Sequence, residues 1–364
     1  MSGPLAGLRV LELGGIGPGP HAAMLLADLG ADVVRVDRPS GGLKVADGAR
    51  DWMQRNRRRV AADMKTDEGM ATMKALFETA DVVIEGFRPG VAERLGIGPA
   101  DFAESNPGLI YARMTGWGQD GPWAKVAGHD INYISVTGAL KAFQKGDSGP
   151  VPPINLVGDF GGGSMFLVLG ILSALYERQT SGKGQVVDAG IVDGTSTLAQ
   201  MVWGLMESGT WVDKPASNLL DTACQFYDTY QCSDGEWMAV GALEPQFYAE
   251  LLKGLGLEGE DLPKQGDRAG WPTLRARFTE IFASRTRDEW AKVFDGTDAC
   301  TTPVLSWGEA AQHPHLVGRK TIIDVDGVPQ TAPAPRFSRS VPADPIAPPT
   351  TDTPLDEVLE SWKR

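Results

Sequence analysis

The sequence predicts an α/β fold built on a mostly parallel sheet, and three observations carry that prediction. Short, mostly apolar runs of strand length recur through the first half, as in LRVLEL (8–13) and DVVRVD (32–37). Strands covered on both faces read this way, whereas half-exposed strands alternate with polar residues. Segments with helical spacing separate these runs, which makes them βαβ units. After about residue 225 the style changes to alternating strands around a turn, followed by helices, which marks a smaller α+β domain.

In chain order, LRVLEL (8–13) is a strand, HAAMLLADLG (21–30) a helix ending at Gly30, and DVVRVD (32–37) a strand. VAADMK (60–65), DVVIEGF (81–87) and LIYARMTG (109–116) continue the strand series. A helix opens at TDEG, where Thr66 or Asp67 can cap the free N–H groups and acidic residues suit the positive helix start. Residues 164–178 form a helix, QVVDAGIV (185–192) a strand and STLAQMVWGLME (196–207) a helix. YDTYQCSDGEWMAVGAL (227–243) is a hairpin turning at Asp234–Gly235, and helical stretches run from Pro245 to about Phe294. VPADPIAPPTTDTP (341–354) is extended and proline-rich, and LDEVLESWKR is a last short helix that must dock. The expected domains are 1–224, completed by 326–364, and a small domain over 225–325.

Composition bounds the partners. Of the 364 residues, 42% are hydrophobic and 22% charged, as in ordinary globular proteins. A net charge of −13 argues against general nucleic-acid or anionic-membrane binding. Three sparse cysteines, Cys224, Cys232 and Cys300, give no disulfide framework and fit a reducing compartment. Arg9 stands where a signal peptide needs its apolar stretch, and the apolar run from Met165 to Tyr176 is too short to span a bilayer. A cytoplasmic location without membrane insertion is expected.

Several motifs bear on chemistry. In NLVGDFGGGSMF (155–166), Asp159 stands just before Gly161, Gly162 and Gly163. Asp is a good helix cap, but three glycines are costly at a helix start and point to close approach of backbone and ligand. GIGPGPHA (15–22) follows a strand and opens a helix, and Gly17, Gly19 and Ala22 fit the dinucleotide pattern, with Asp37 closing the next strand. Pro18 and Pro20, however, remove two N–H donors from the loop that would hold a pyrophosphate, which favours a tight strand–helix turn over a nicotinamide site. Arg55, Arg57, Arg58 and Arg59 crowd one stretch and read as a solvated face. Arg38, Lys65, Arg88 and Arg94 follow predicted strands, where guanidinium and ammonium groups suit a phosphorylated ligand.

Of four histidines, His313 and His315 flank Pro314 in a polar loop, His21 begins a helix, and His129 lies at a helix start in GHDINYISVTG (128–138). There is no zinc-type spacing of Cys or His, and no G-x-S-x-G nucleophile elbow. Met165, Met201, Trp203 and Met206 offer adaptable apolar surface, although each also suits a helix core.

Four long stretches carry a resemblance: GIGPGPHAAMLLADLGADVVRVDRP, RMTGWGQDGPWAKVAGHDINYIS, NLVGDFGGGSMFLVLGILSALYERQTSGKGQVVDA and VGALEPQFY. They are similar to those of the α-methylacyl-CoA racemases within family III of the CoA-transferases, from about residue 3 to about 340. The resemblance implies a nucleotide-binding-like large domain and an interlocked homodimer whose active sites draw on both subunits. It implies that His129 and Asp159 are two proton-transfer bases and that Glu244 supports the histidine from the small domain. It further implies that CoA lies against Arg38, Ala62, Asp63, Met64, Lys65, Gly86, Phe87, Arg88, Arg94, Gly128, Asp130, Ile131, Asn132 and Tyr133. The implied substrate is a branched-chain acyl-CoA, with no cofactor beyond the CoA it carries and no metal. Inverting the carbon next to a thioester needs a base on each face, and the enolate between them needs donors, for which the N–H groups around Asp130 are suited. On this reading the glycines beside Asp159 let the reacting carbon approach the backbone. The alternative is a CoA-transferase of the same family, in which Asp159 attacks the thioester.

Overall fold

The computed structural model describes residues 2–37 and 50–363, which fall into two compact units. The first comprises Met1–Ala139, Pro153–Gln200 and Val317–Arg364; the second comprises Leu140–Pro152 and Met201–Leu316.

The first unit is built on a six-stranded sheet of β1 (Arg9–Leu13), β2 (Asp32–Asp37), β3 (Arg57–Ala61), β4 (Val82–Glu85), β5 (Ile110–Thr115) and β6 (Val186–Gly190), in the order β3-β2-β1-β4-β5-β6. Every neighbouring pair is parallel. Successive residues serve opposite faces, as the period of two requires. Val10 and Val33 enter the core with Ala22, Ala23 and Leu26 of helix α1 (Pro18–Asp28) and with Leu167, Ile171 and Ala174 of the Met165–Ser181 helix. Leu11, Leu13, Val34 and Val36 enter the opposite core with Met73, Leu76 and Phe77 of helix α2 (Asp67–Thr79). Burial on both faces is why most of these strands read as largely apolar runs. Thr66 caps α2, accepting the Gly69 N–H at 3.1 Å.

The register of β3 differs from the expected 60–65. The strand falls on the arginine run, and Ala62–Lys65 become the turn into α2. The run is therefore not a solvated face. Arg55, 2% exposed, holds Asp28 through Nε at 3.0 Å and Nη2 at 2.5 Å. Arg57 pairs with the fully buried Glu12 at 3.0 Å, and Arg35 reaches the other oxygen of Glu12 at 2.5 Å. Arg58 pairs with Asp32 and Arg59 with Asp352. Each guanidinium is paired with a carboxylate on another element, so these cations join strands, α1 and the tail.

A second difference lies around Asp159. Leu156–Ser164 is a π-helix that continues into the Met165–Ser181 α-helix. Together they make 26 residues containing an 18-residue stretch of mean hydropathy 1.6, long and apolar enough to cross a membrane, unlike the short run read from the sequence. One face, with Leu167, Val168, Ile171 and Ala174, is buried against the sheet, so this helix passes the length test as a sheet-covering helix. The predicted helix over 196–207 is two, Ile191–Leu198 and Gln200–Glu207, and β6 stops at Gly190.

The proline-rich tail has its own surface. The Asn56 N–H donates to the Ile346 carbonyl at 3.1 Å, and the Thr353 N–H to the Arg59 carbonyl at 2.7 Å. The tail thus covers β3, the edge strand, whose free backbone groups would otherwise invite pairing with another chain. The final helix, Leu355–Trp362, buries Val358 and Trp362 beside α2, and Trp362 Nε1 donates to Asp32 at 2.8 Å. The tail is seated on its own chain.

The second unit carries the predicted hairpin as β7 (Tyr227–Gln231) and β8 (Trp237–Gly241), antiparallel, turning through Gly235 at φ 84°, with β9 (Thr301–Pro303) on the far side of β8. Its core is aromatic, with Tyr230, Phe278, Phe282, Trp290 and Phe294 packed beneath the sheet. Cys224, Cys232 and Cys300 are free thiols.

Trp362 is 1% exposed in the core under α2. Trp362→Ala should cost about 3–5 kcal/mol, measured by chemical denaturation, because truncating a buried tryptophan loses both burial and packing. A cost under about 1 kcal/mol would show that the tail contributes little to the core.

Candidate active site

In a sheet of this order the chain leaves β1 and β4 in opposite directions, opening a crevice at their carboxyl ends. A cleft of about 410 Å3 lies there. It is lined by the loop from Gly14 to Pro20 after β1, the Gly86–Pro89 turn after β4, the Thr115–Trp117 turn after β5, and by His129, Tyr133 and Asp159. The dinucleotide-like pattern is thus a tight strand–helix turn that also forms one wall of the site. Gly17, at φ 72°, caps α1, and a Cβ there would lie 3.0 Å from Asp159 Oδ2. Gly17 is the glycine that leaves room beside the carboxylate.

The glycines after Asp159 serve another purpose than the one expected. A Cβ on Gly162 would lie 2.3 Å from Thr195 Oγ1, and one on Gly163 about 3.1 Å from Pro18 and 3.2 Å from Ile191. A Cβ on Gly194 would lie 1.9 Å from the Gly162 carbonyl oxygen. These residues let the wide π-helix lie backbone-to-backbone on the Ile191–Leu198 helix. Such π segments occur frequently at functional sites. His21 supports the same segment: its Nδ1 is 2.6 Å from Ser164 Oγ and its ring stacks on Phe160 at 4.2 Å. Burial, with Arg57 and Arg55 nearby, pushes its imidazole down to about 4, so it is neutral and structural.

Burial pushes the Asp159 carboxyl up to about 6, and the Asp130 charge adds to this; a hydrogen bond from Asn155 and the proximity of His129 act the other way. Asn155 was not singled out from the sequence, although a position one turn before Asp159 marks it as a neighbour. His129 is exposed in the cleft at the entry to the Asp130–Val136 helix. Its backbone is locked there: its N–H donates to Asn132 Oδ1 at 3.0 Å and its carbonyl accepts the Asn132 N–H at 2.8 Å.

Tyr133 is buried between these parts. Its hydroxyl donates to the Gly128 carbonyl and its ring meets Trp117 edge-on at 4.8 Å. A Cβ on Gly116 would lie 2.0 Å from the ring, which explains the glycine after β5. Glu85 was also not foreseen. It is buried at the end of β4, accepts the Phe87 N–H at 2.6 Å, and is pushed up to about 7 by its burial. It fixes the turn that presents Gly86, Phe87 and Arg88 to the cleft.

The remaining candidates sort by position. Arg88 lines the cleft, while Lys65 and Arg94 are exposed, and none of the three is tied into an ion pair with a described residue. Arg38 lies outside the described residues. The Ala62 N–H donates to the Asp37 carbonyl at 3.1 Å; Asp63 and Lys65 are exposed in the turn that follows, and Met64 packs on the core. Ile131 and Asn132 are exposed, whereas the Asp130 carboxylate is turned inward to the Asp159 backbone. In the second unit Glu244 heads the Pro245–Gly254 helix with its side chain exposed. Met165, Met201 and Trp203 are each more than half exposed, so none of them is a core residue. Among the described residues no three His, Cys, Asp or Glu side chains are placed to share a metal ion.

The chain is similar to known proteins over nearly its whole length. CoA-transferase family III matches residues 5–355. The α-methylacyl-CoA racemase of Mus musculus is 47% identical over 344 residues, covering 94% of this chain and 88% of the mouse protein. The enzyme of the same name from Homo sapiens is 42% identical over 359 residues, covering 97% and 93%. The crystal structure of a CAIB/BAIF family protein from Brucella suis superposes with a TM-score of 0.81 at 28% identity, covering all of both chains. The chain belongs to CoA-transferase family III.

Proposed function

We propose that this chain is a racemase that interconverts (2R)- and (2S)-2-methylacyl-CoA thioesters by 1,1-proton transfer. The observation that carries this reading is that His129 and Asp159, two groups able to exchange protons, line one cleft at the switch point of the sheet. Full-length similarity to two proteins named as α-methylacyl-CoA racemases supports it.

One base removes the α-proton and the electron pair moves into the thioester carbonyl, giving an enolate. The other base returns a proton to the opposite face as the carbonyl re-forms. No electrons leave the substrate, so the reaction needs no cofactor beyond the CoA it carries. An Asp159 carboxyl held at about 6 suits the task, since near neutrality it passes readily between donor and acceptor. We assign the first-turn N–H groups of the Asp130–Val136 helix to the enolate oxygen, and Glu244 to support of His129. Arg88, with Lys65, Arg94 and Arg38, is assigned to the CoA phosphates. The exposed methionines and Trp203 are assigned to the acyl chain, whose variable shape they can follow. Three free thiols support a cytoplasmic setting.

We also assign the working form to a homodimer. Leu169 and Tyr176 on the sheet-covering helix are 58% and 76% exposed, apolar surface of the kind that marks an interface.

His129→Ala and Asp159→Ala should each lower racemisation by about 10²–10⁴-fold, the usual worth of one positioned base. Each variant should retain slow α-proton exchange into D₂O from one enantiomer, and the retained enantiomer should differ between the two. In a CoA-transferase, by contrast, Asp159 would form a covalent acyl adduct trapped by hydroxylamine, and no deuterium would reach the α-carbon.

CoA at about 100 times its Kd should stabilise the protein by roughly 2.7 kcal/mol, visible as a rise in melting temperature, and NAD should not. A shift with NAD alone would overturn the ligand assignment.

Light scattering of active protein should give twice the chain mass of 38.9 kDa. An active species at the single-chain mass would remove the dimer from the mechanism.

A further inference from the structure

One charged group in the site has no part in the reaction as derived. Asp130 begins the helix that carries His129 at its entry, yet the residue is 8% exposed and its carboxylate is turned to the backbone of Asp159. Oδ1 accepts the Asp159 N–H at 2.7 Å, and the Gly158 N–H binds the same carboxylate. Oδ2 is buried without a hydrogen-bond partner among the described residues. The fit is close enough to exclude any side chain at Gly158, where a Cβ would lie 2.4 Å from Asp130 Oδ1 and 2.9 Å from Ile134.

We propose that Asp130 is a positioning residue for Asp159: its carboxylate caps the first turn of the π-helix and sets a second negative charge beside the Asp159 carboxyl. The inference rests on the racemase reading for its consequence but not for its geometry.

Two physical consequences follow. The first N–H groups of a helix have no partner inside it, and at Gly158 and Asp159 that partner is supplied by the helix bearing His129. One hydrogen-bonded contact therefore ties the two bases to each other, and fixes their separation to the precision that proton transfer requires. A neighbouring like charge also disfavours ionisation. The groups facing Asp159 are Asp130, Asn155 and His129, together with Tyr133, whose hydroxyl feels both Asp159 and Arg88. Asp130 is the one anion in that set acting to keep the Asp159 proton on.

Asp130→Asn separates the two roles, because its amide oxygen can still accept the N–H bonds while the charge is gone. Asp159 is followed by NMR titration of full-length protein carrying 13C-labelled aspartate, its signal assigned by loss in Asp159→Asn. Its midpoint, about 6 in the parent, should fall in Asp130→Asn. A fall of about half a unit raises the ionised fraction roughly threefold at pH values below both midpoints. The limb of the kcat/KM profile that reports Asp159 should move to lower pH by the same amount. Asp130→Ala, which also removes the acceptor, should lose about tenfold or more in kcat beyond Asp130→Asn, with KM changed far less, because the loss is one of geometry in the transition state.

An unmoved Asp159 midpoint in Asp130→Asn would overturn the proposal. So would a loss expressed only as a rise in KM, which is what a direct CoA contact predicts. If Asp130→Ala fails to fold, the near-isosteric Asp130→Asn carries the test alone. If the parent protein does not racemise but the midpoint still moves, the functional reading falls and this inference stands.

Discussion

The site depends on one steric contact, the approach of the Gly162 carbonyl to Gly194. Backbones pack this closely only where neither residue has a Cβ. The contact seats the wide π-helix on the Ile191–Leu198 helix, and the seating delivers Asp159 to the cleft mouth. Gly163 against Pro18, Gly17 beside the Asp159 carboxylate and Gly116 under the Tyr133 ring extend the same logic. The glycines thus act by packing backbone on backbone and on rings. Room for substrate is a secondary result at one position, Gly17.

Charge is divided just as strictly. Arg35, Arg55 and Arg57 sit in the interior, each matched to a carboxylate by a short hydrogen bond or ion pair. A buried cation is tolerated only with such a partner, so these residues are committed to the scaffold and unavailable to a ligand. Among the described residues Arg88, Lys65 and Arg94 carry no such ion pair, and they follow strands of the sheet at its carboxyl edge. An acidic chain can in this way keep a locally cationic rim for a phosphorylated substrate.

The family's two chemistries differ in what surrounds one aspartate. A carboxylate in an open cleft can attack a thioester, whereas one paired across the cleft with a second base can work a proton. In the function proposed above, His129, which lines the same cleft as Asp159, is that second base.

The sequence by itself determined the fold class. Both faces of the sheet are covered, so the strands had to read as apolar runs, and their alternation with helices fixed a parallel sheet. It also determined the type of turn after β1, since Pro18 and Pro20 are incompatible with a pyrophosphate loop. The long motifs around His129 and Asp159 identified the candidate bases, but by resemblance: their spacing of thirty residues in sequence carries no geometry. Only the tertiary structure decided which arginines are interior, because that follows from the register of β3 against β2, and an arginine run pairs equally well with water or with buried acids. It alone decided that the glycines after Asp159 meet a neighbouring helix, since a π-helix leaves no periodic mark in eight or nine residues. The inward turn of Asp130 was hidden for the same reason, since its partner at Asp159 is brought near only by folding. Asn155 and Glu85 act on residues four and two positions away, but their residue types alone do not show that those bonds form.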